Sequence, residues 1–430
     1  MEVRPGYKQT EVGVIPQEWD CVAVQMLADE NIIEKPLDGN HGNIHPKSSD
    51  FLDYGIPFVM ANNIVDGRVD LLGCKFITKE RASKLQKGFS IAGDVLLTHK
   101  GTVGNTAIVP ELNVDFIMLT PQVTYYRVRD EKRLNNGFLR QYFGSQPFQS
   151  LFKSLAGGGT RAYLGIMKQL ALPVIKPPID EQLAIATALG DVDALLNGLD
   201  RLIAKKRDLK QAAMQHLLTG EIRLPGFHGE WEVKPLGDLA EIVSGGTPRT
   251  TEPAYWNGSI RWCTPTDITG GAGKYLKETE RTISQLGLKN SGASLLPAGA
   301  LLLCSRATIG EVKIATEEIC TNQGFKSLVC PPGLSNEFLY YKLLTMKQQM
   351  LSCAFGSTFL EISKRNLAAL EVNTPPALEQ AAIAAVLSDM DTELAALEAR
   401  RHKTRALKQA MMQELLTGKT RLITSEASNA

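Results

Sequence analysis

Three Pro-Pro dipeptides are the first places to look for chemistry: "KPPI" at Lys176, "CPPG" at Cys330 and "TPPA" at Thr374. A loop that holds a flipped adenine for methylation needs Asn or Asp before the prolines and an aromatic ring after them, because the base is hydrogen-bonded and stacked there. None of the three has either. The nearest approach to a phosphate cradle, "GGAGKY" at Gly270, has the wrong upstream spacing and a tyrosine where a P-loop places its magnesium-binding hydroxyl. His41 and His45 form the one close histidine pair, in a loop with Asp50; a metal site there competes with a plain turn-rich surface loop. Seven cysteines (Cys21, Cys74, Cys263, Cys304, Cys320, Cys330 and Cys353) contain no C-x-x-C pair. Such an odd, dispersed set reads as reduced thiols, mostly small core residues, and argues against a structural zinc. No serine or cysteine nucleophile stands in a recognisable setting. The chain is expected to carry no catalysis of its own, and no cofactor or metal.

The side chains that remain suit a polyanion. Base edges are read by Arg, Lys, Asn or Gln, and phosphates are held by Lys, Arg, Ser, Thr and backbone amides. The run from Lys75 to Lys100 supplies Lys79, Arg81, Lys84 and Lys87 with few acids, and "THKGTVG" adds His99, Lys100 and Thr102 beside glycines that let backbone approach a phosphate. Its counterpart "CSRATIG" supplies Arg306 and Thr308, so a basic residue holds the same place twice, as Lys100 and Arg306. Each reads equally as a surface turn after a buried strand. "GGTPRTTEPAYW" offers Thr247, Arg249 and Thr250 on a loop, with Tyr255 and Trp256 expected as core anchors. Gln122 and Gln323 close "TPQ" and "TNQ"; either grips adenine in a bidentate way or holds a turn. Arg161 with Tyr163, and Thr358 with Lys364, complete the candidates.

The totals bound these readings. At 430 residues the chain is too long for one ordinary core, and two domains plus linkers are expected. With 43% hydrophobic and 22% charged residues it reads as soluble and globular. It has no apolar run of the roughly 18 residues or more that a membrane span needs. The opening "MEVRPGYKQTEVGVIP" lacks a basic segment followed by an apolar one, which points to the cytoplasm. A net charge of +1 gives no global push towards a nucleic acid, so such contacts must come from local clusters.

Something must position these groups, and the sequence writes it twice. Pro177–Gly220 aligns with Pro375–Gly418 without a gap, 198 positions apart. Both copies begin Pro-Pro-x-x-Glu-Gln and end Leu-Leu-Thr-Gly, with no proline between. Each predicts a helix of about 38 residues, roughly 57 Å long. Proline fits the first turn, and Gly220 and Gly418 stand where a left-handed cap would end it. Ile185, Leu189, Val192, Leu196, Leu199 and Ile203 step by four and three, and Ile383, Leu387, Met390, Leu394 and Leu397 repeat the steps. This is the seam of a two-helix coiled coil, and the copies most simply bury each other. The rhythm breaks at Lys205-Lys206-Arg207 and at Arg400-Arg401-His402-Lys403, then resumes with Leu209, Met214 and Leu217, and with Leu407, Met411 and Leu415. The basic breaks read as a solvated face or as phosphate contacts.

The stretches before each helix repeat more loosely. "EWDCVAVQMLAD" at Glu18 answers "EWEVKPLGDLAE" at Glu230, and "GGTRAYL" at Gly158 answers "GSTFLEI" at Gly356. Short Val, Ile and Leu runs between Gly, Pro and Asn signals predict β-rich domains with a few helices, such as Phe138–Lys153 and Asn336–Leu351. The fold class expected is α+β: two β-rich domains separated by two long antiparallel coiled-coil helices, as a pseudo-twofold internal repeat. The limits are 1–176 and 221–374 for the domains, 177–220 and 375–418 for the helices, and 419–430 for a tail.

In order along the chain, "GVIPQEW", "GTVGNTAIV", "SGGTPRTTEPAYWNGSIRWCTPTDI", "TNQGF" and "GSTFLEISKRNLAALEVNTPPALEQAAIAAVLSDMD" resemble the specificity (S) subunit of type I restriction–modification systems. The resemblance covers essentially the whole chain, and the two Pro-Pro-x-x-Glu-Gln helices make it specific. It implies two target-recognition domains, each reading one half of a split double-stranded DNA sequence, with the helices as spacer. It implies two docked methyltransferase subunits that carry S-adenosylmethionine, and restriction (translocase) subunits that bring ATP and Mg2+. Glu181, Gln182, Glu379 and Gln380 at the helix starts are the candidate partner contacts, although carboxylates suit a helix N-terminus in any case. The first domain lacks "GGTP", so its recognition loop does not carry over residue by residue. The rival reading is a coiled-coil structural adaptor that reads no DNA, which the near-zero charge favours.

Overall fold

The computed structural model describes residues 4–157, 162–356 and 360–423. Its backbone contacts gather into two compact units, one of Met1–Leu199 with Arg400–Ala430 and the other of Asp200–Ala399. The division falls inside both long helices, α1 (Ile179–Leu217) and α2 (Ala377–Leu415), each of 39 residues. Each unit is therefore a globular body, the start of one long helix and the end of the other.

Each helix starts just after its second proline and ends three residues before its glycine. Backbone amides of Glu181 and Gln182 donate to the Pro178 carbonyl at 3.0 Å, and those of Glu379 and Gln380 to Pro376 at 2.9 and 3.1 Å. Gly220 and Gly418 take φ of +76° and +67°, the left-handed backbone that glycine adopts most cheaply.

In the first unit an antiparallel sheet runs in the spatial order Thr106–Ile108, Val95–Thr98, Val123–Tyr126 and Leu37–Asp38. A second sheet orders Lys75–Ile77, Ile56–Val59, Ile117–Leu119 and Phe89–Ser90, with one parallel pair at its centre. The strand after "EW", Asp20–Ala23, pairs antiparallel with Pro173–Lys176, the strand that feeds α1. The second unit repeats the plan. Glu241–Ser244, Lys326–Val329, Leu301–Leu303, Val312–Ala315 and Tyr275–Leu276 form five strands, and Glu232–Pro235 pairs with Glu371–Thr374 ahead of α2. Its three-stranded sheet centres on Trp256–Cys263.

The apolar seam is only partly a coiled coil. Ile185 and Leu189 belong to the core of the first body, with Phe138, Tyr142, Phe143 and, from the end of α2, Leu415 and Leu416. Ile383 and Leu387 do the same in the second, with Phe338, Tyr341, Leu217 and Leu218. The first turns of each helix are thus anchored in their own domain rather than held by helix against helix. Leu209 and Leu407 were expected in the stripe and are exposed. They lie about 80° around the helix from Leu217 and Leu415, which are buried.

Within each unit the helix segments run antiparallel, pinned by one polar pair at equivalent places. Lys408 lies 2.6 Å from Asp193 in the first unit, and Lys210 pairs with Asp391 in the second. Arg140 and Gln141 also bind Asp193, at 2.5 and 2.8 Å, and the Tyr341 hydroxyl donates to Asp391 at 2.6 Å. Burial works to raise the Asp193 carboxyl, yet Arg140 and Lys408 outweigh it and hold it below the ordinary carboxylate range. A polar pair at one such position fixes register, because any slip leaves a charge without its partner. The basic break in α1 resolves as ion pairs along the helix surface, Lys206 with Glu393 at 2.7 Å and Arg207 with Glu398. Each is worth about 0–1 kcal/mol at the surface.

Candidate nucleic-acid interface

The most closely repeated geometry lies where the strands Val95–Thr98 and Leu301–Leu303 end. In the first unit the His99 amide donates to the Gln122 carbonyl at 2.9 Å, and the His99 carbonyl accepts from Leu164 at 3.0 Å. Ser305 does the same in the second unit, donating to Gly324 at 2.8 Å and accepting from Ile362 at 3.0 Å. The next residue bridges a second strand in both, Lys100 to Tyr163 and Arg306 to Glu361. The chain then turns through a left-handed residue, Gly101 at φ +79° and Ala307 at +63°. Lys100 and Arg306 therefore share a backbone position as well as a place in the sequence. At Ala307 the turn is held by a residue whose Cβ opposes it. Ala307→Gly is expected to raise the stability of the second unit by about 0.5–1 kcal/mol, read by chemical unfolding, while Gly101→Ala lowers that of the first.

Around the corner the units differ. In the first, the exposed Lys100 ammonium lies 5.9 Å from the centroid of the half-exposed Tyr163 ring. Behind it, Asp38 is 2% exposed and takes Lys87 on one oxygen and His41 Nε2 at 2.8 Å on the other. His99 is fully buried, its Nε2 3.8 Å from Asp38, and neither ring nitrogen has a hydrogen-bond partner among the described residues. Burial pushes its imidazole down to about 4, although the Asp38 carboxylate pulls the other way. An open cleft of about 370 Å³ runs past Asp38, His41, Lys87, Tyr163 and Met167. In the second unit Ser244 occupies the strand position of Asp38, each at the end of its strand against the central sheet. Thr247, three residues past Ser244, donates its hydroxyl to Gln323 Oε1, and both residues are exposed.

Several candidate contacts are placed on the surface, and others are withdrawn from it. Lys79, Lys84, Thr102, Arg249, Thr250 and Lys364 are exposed. Gln122 is half-buried. Arg81 is tied down, donating to Asp50 at 3.1 Å and to the Ile44 carbonyl at 2.8 Å. Two expectations are corrected. Lys87 pairs with Asp38 while a third of its side chain stays exposed in the cleft; His99 lies beneath the surface and the Thr308 hydroxyl is buried, so those two do not meet a ligand directly in this arrangement. Arg161 and Thr358 lie outside the described residues. Tyr255 is half-buried, and Trp256 packs edge-on against Trp262 at 5.0 Å with Arg281 over its face, as an anchor should.

The expected partner contacts are also corrected. Glu181, Gln182, Glu379 and Gln380 are at most 5% exposed and are used inside their own units. Gln182 accepts from the Asn135 amide at 2.9 Å and donates to the Pro177 carbonyl at 2.8 Å; Gln380 does likewise with Ser335 and Pro375. Glu181 accepts from Trp19 Nε1 at 3.0 Å and from the Arg421 guanidinium, and Glu379 accepts from Arg223 on both oxygens. These four residues fasten each helix start to its domain. Arg421 and Arg223 were not picked out in the sequence, yet a signal was there: each stands three residues after the glycine of "LLTG".

Comparison with known proteins places this geometry. A family model described as the type I restriction modification DNA specificity domain matches the chain twice, over residues 32–206 and 228–405. The MjaIX specificity subunit of a type I restriction enzyme from Methanocaldococcus jannaschii is 38% identical over 164 residues, a match spanning 38% of each chain and so well under half of that relative. A second chain from the same organism, provisionally assigned as the MjaX specificity subunit, is 24% identical over 443 residues, covering 97% of both. Among solved structures, the S subunit of a type I restriction–modification system from M. genitalium superposes with a TM-score of 0.59 at 13% identity, covering 96% of this chain and 98% of that one. That likeness is one of fold.

Proposed function

Because the chain belongs to the family of type I restriction–modification DNA specificity subunits, with the specificity domain present twice, we propose that it reads a bipartite double-stranded DNA target, one half with each unit. It does so as a non-catalytic subunit that directs two methyltransferase subunits, and through them restriction subunits, to that target. S-adenosylmethionine, ATP and Mg2+ belong on those partners. The cytoplasm is its place of work, and no helix among the described residues is long and apolar enough to cross a membrane.

The observation that carries the reading is the repeated corner, a common mount with a basic residue on it and different side chains around it. A shared phosphate contact at Lys100 and Arg306 would set the register of each unit on the duplex without reading sequence. The differing neighbours would read bases. With a net charge of +1, binding must rest on such local contacts.

The test is a titration of duplex DNA against salt. Lys100→Ala and Arg306→Ala are each expected to weaken binding to all sequences alike and to reduce the slope of log affinity against log salt by about 1. Binding that ignores salt and sequence would leave the adaptor reading in place. Methyl transfer by the isolated chain would overturn the non-catalytic part.

A further inference from the structure

Neither the fold nor the shared corner explains why one unit builds an Asp38–His41–Lys87–His99 cluster. The second unit makes the same sheet with Ser244 at the strand position of Asp38 and Ser305 at that of His99, and with Thr247 three residues past Ser244, as His41 is three past Asp38. The shared sheet forms in the second unit without these charges, and of the four, His41 and Lys87 reach the cleft.

Against a carboxylate, His41 Nε2 must donate, at 2.8 Å to Asp38. In the neutral ring that bond puts the proton on Nε2 and leaves Nδ1 as a lone-pair acceptor. Asp38 is itself held rigid by burial and by Lys87 on its other oxygen, so the ring is aimed rather than free. His41 is half exposed at the mouth of the cleft, beside Tyr163 and Met167, which offer faces of 47% and 76% exposure. The second unit sets the opposite polarity. The Thr247 hydroxyl donates to Gln323 Oε1 and occupies that acceptor, so the exposed Gln323 amide turns its NH2 outward as a donor.

Resting on the DNA-reading function proposed above, the geometry points to one base-reading station present in both units with reversed hydrogen-bond polarity. In the first, His41 Nδ1 accepts from an exocyclic amine, that of cytosine N4 or adenine N6. In the second, Gln323 donates to a base acceptor, guanine O6 or thymine O4. These are the groups by which the major groove distinguishes base pairs. Asp38 and Lys87 are positioning residues that act through His41.

The test uses the full chain assembled with its methyltransferase partners and a pool of duplexes randomised in both half-sites. Wild type is expected to demand C or A at one position of one half-site, and G or T at one position of the other. His41→Ala, which leaves Asp38 its Lys87 partner, relaxes the first demand by about tenfold and leaves the other half-site unchanged. Gln323→Ala does the reverse. A second measurement replaces the preferred base by an analogue without its amine, 2-pyrimidinone for cytosine or purine for adenine. That should weaken wild type by about tenfold and His41→Ala hardly at all, and whichever analogue acts identifies the base. If His41→Ala binds with wild-type base preferences, or loses affinity equally at every position, the station is overturned while DNA reading stands. If wild type shows no sequence preference at all, the function beneath it fails instead.

Discussion

Replacing Arg421 with alanine is expected to lower the stability of the first unit by about 3 kcal/mol, the largest effect of any single surface-accessible change considered. Glu181 is 2% exposed, and both of its oxygens face the Arg421 guanidinium, which also stacks over Trp19 at 5.6 Å. Without the guanidinium, the Trp19 indole is the one side-chain partner left to the buried carboxylate among the described residues. Leaving one partner of a buried ion pair alone costs about 3–5 kcal/mol, and the lower end applies because Arg421 is a quarter exposed and water reaches it. Arg421→Lys should recover only part, since an ammonium cannot fork across two oxygens. Urea unfolding of the three chains decides it. A loss within 1 kcal/mol would mean the clasp behaves as an ordinary surface pair.

The second large effect is on pH dependence. His99 is buried and uncharged, with its imidazole pushed down to about 4, against about 6.5 in an unfolded chain. On acidification the unfolded chain takes up the proton first. The contribution of His99 is therefore fully present above about pH 6.5 and is lost as the pH falls towards 4, in total on the order of 3 kcal/mol. Asp38, His41 and Lys100 face the ring and set the net value, with Asp38 pulling against burial. His99→Ser, which installs the residue the second unit uses, should flatten this slope. Unfolding free energies of wild type and His99→Ser at pH 7 and pH 4.5 give the comparison; parallel values at both would show that His99 is not the group responsible.

The two long helices are legible in the sequence because a proline-to-glycine span with apolar steps of three and four has few other outcomes. The corner at Lys100 and Arg306 is legible too, because the repeat compares the chain with itself. What misleads is burial. Val95–Thr98 is covered on both faces, so its pattern does not alternate, and nothing local says that His99 follows it inward. Glu181 and Glu379 look like exposed helix-start carboxylates because a dipole argument is blind to what packs over that end. Their partners are remote in one case and obscured in the other, Arg421 standing 240 residues from Glu181 and Arg223 standing 156 before Glu379. Lys87 looks like a phosphate contact because Asp38, 49 residues away, gives no local warning.

The composition of the first unit bears on how the protein is made. Residues 200–399 are contiguous, so that unit has every part it needs as soon as they leave the ribosome. The other body, though translated earlier, lacks the end of α2 and Arg421 until residue 421 has been added, a wait of roughly 10–45 s at typical elongation rates. Through that interval the indole of Trp19 and the carboxylate of Glu181 have no Arg421 guanidinium to meet.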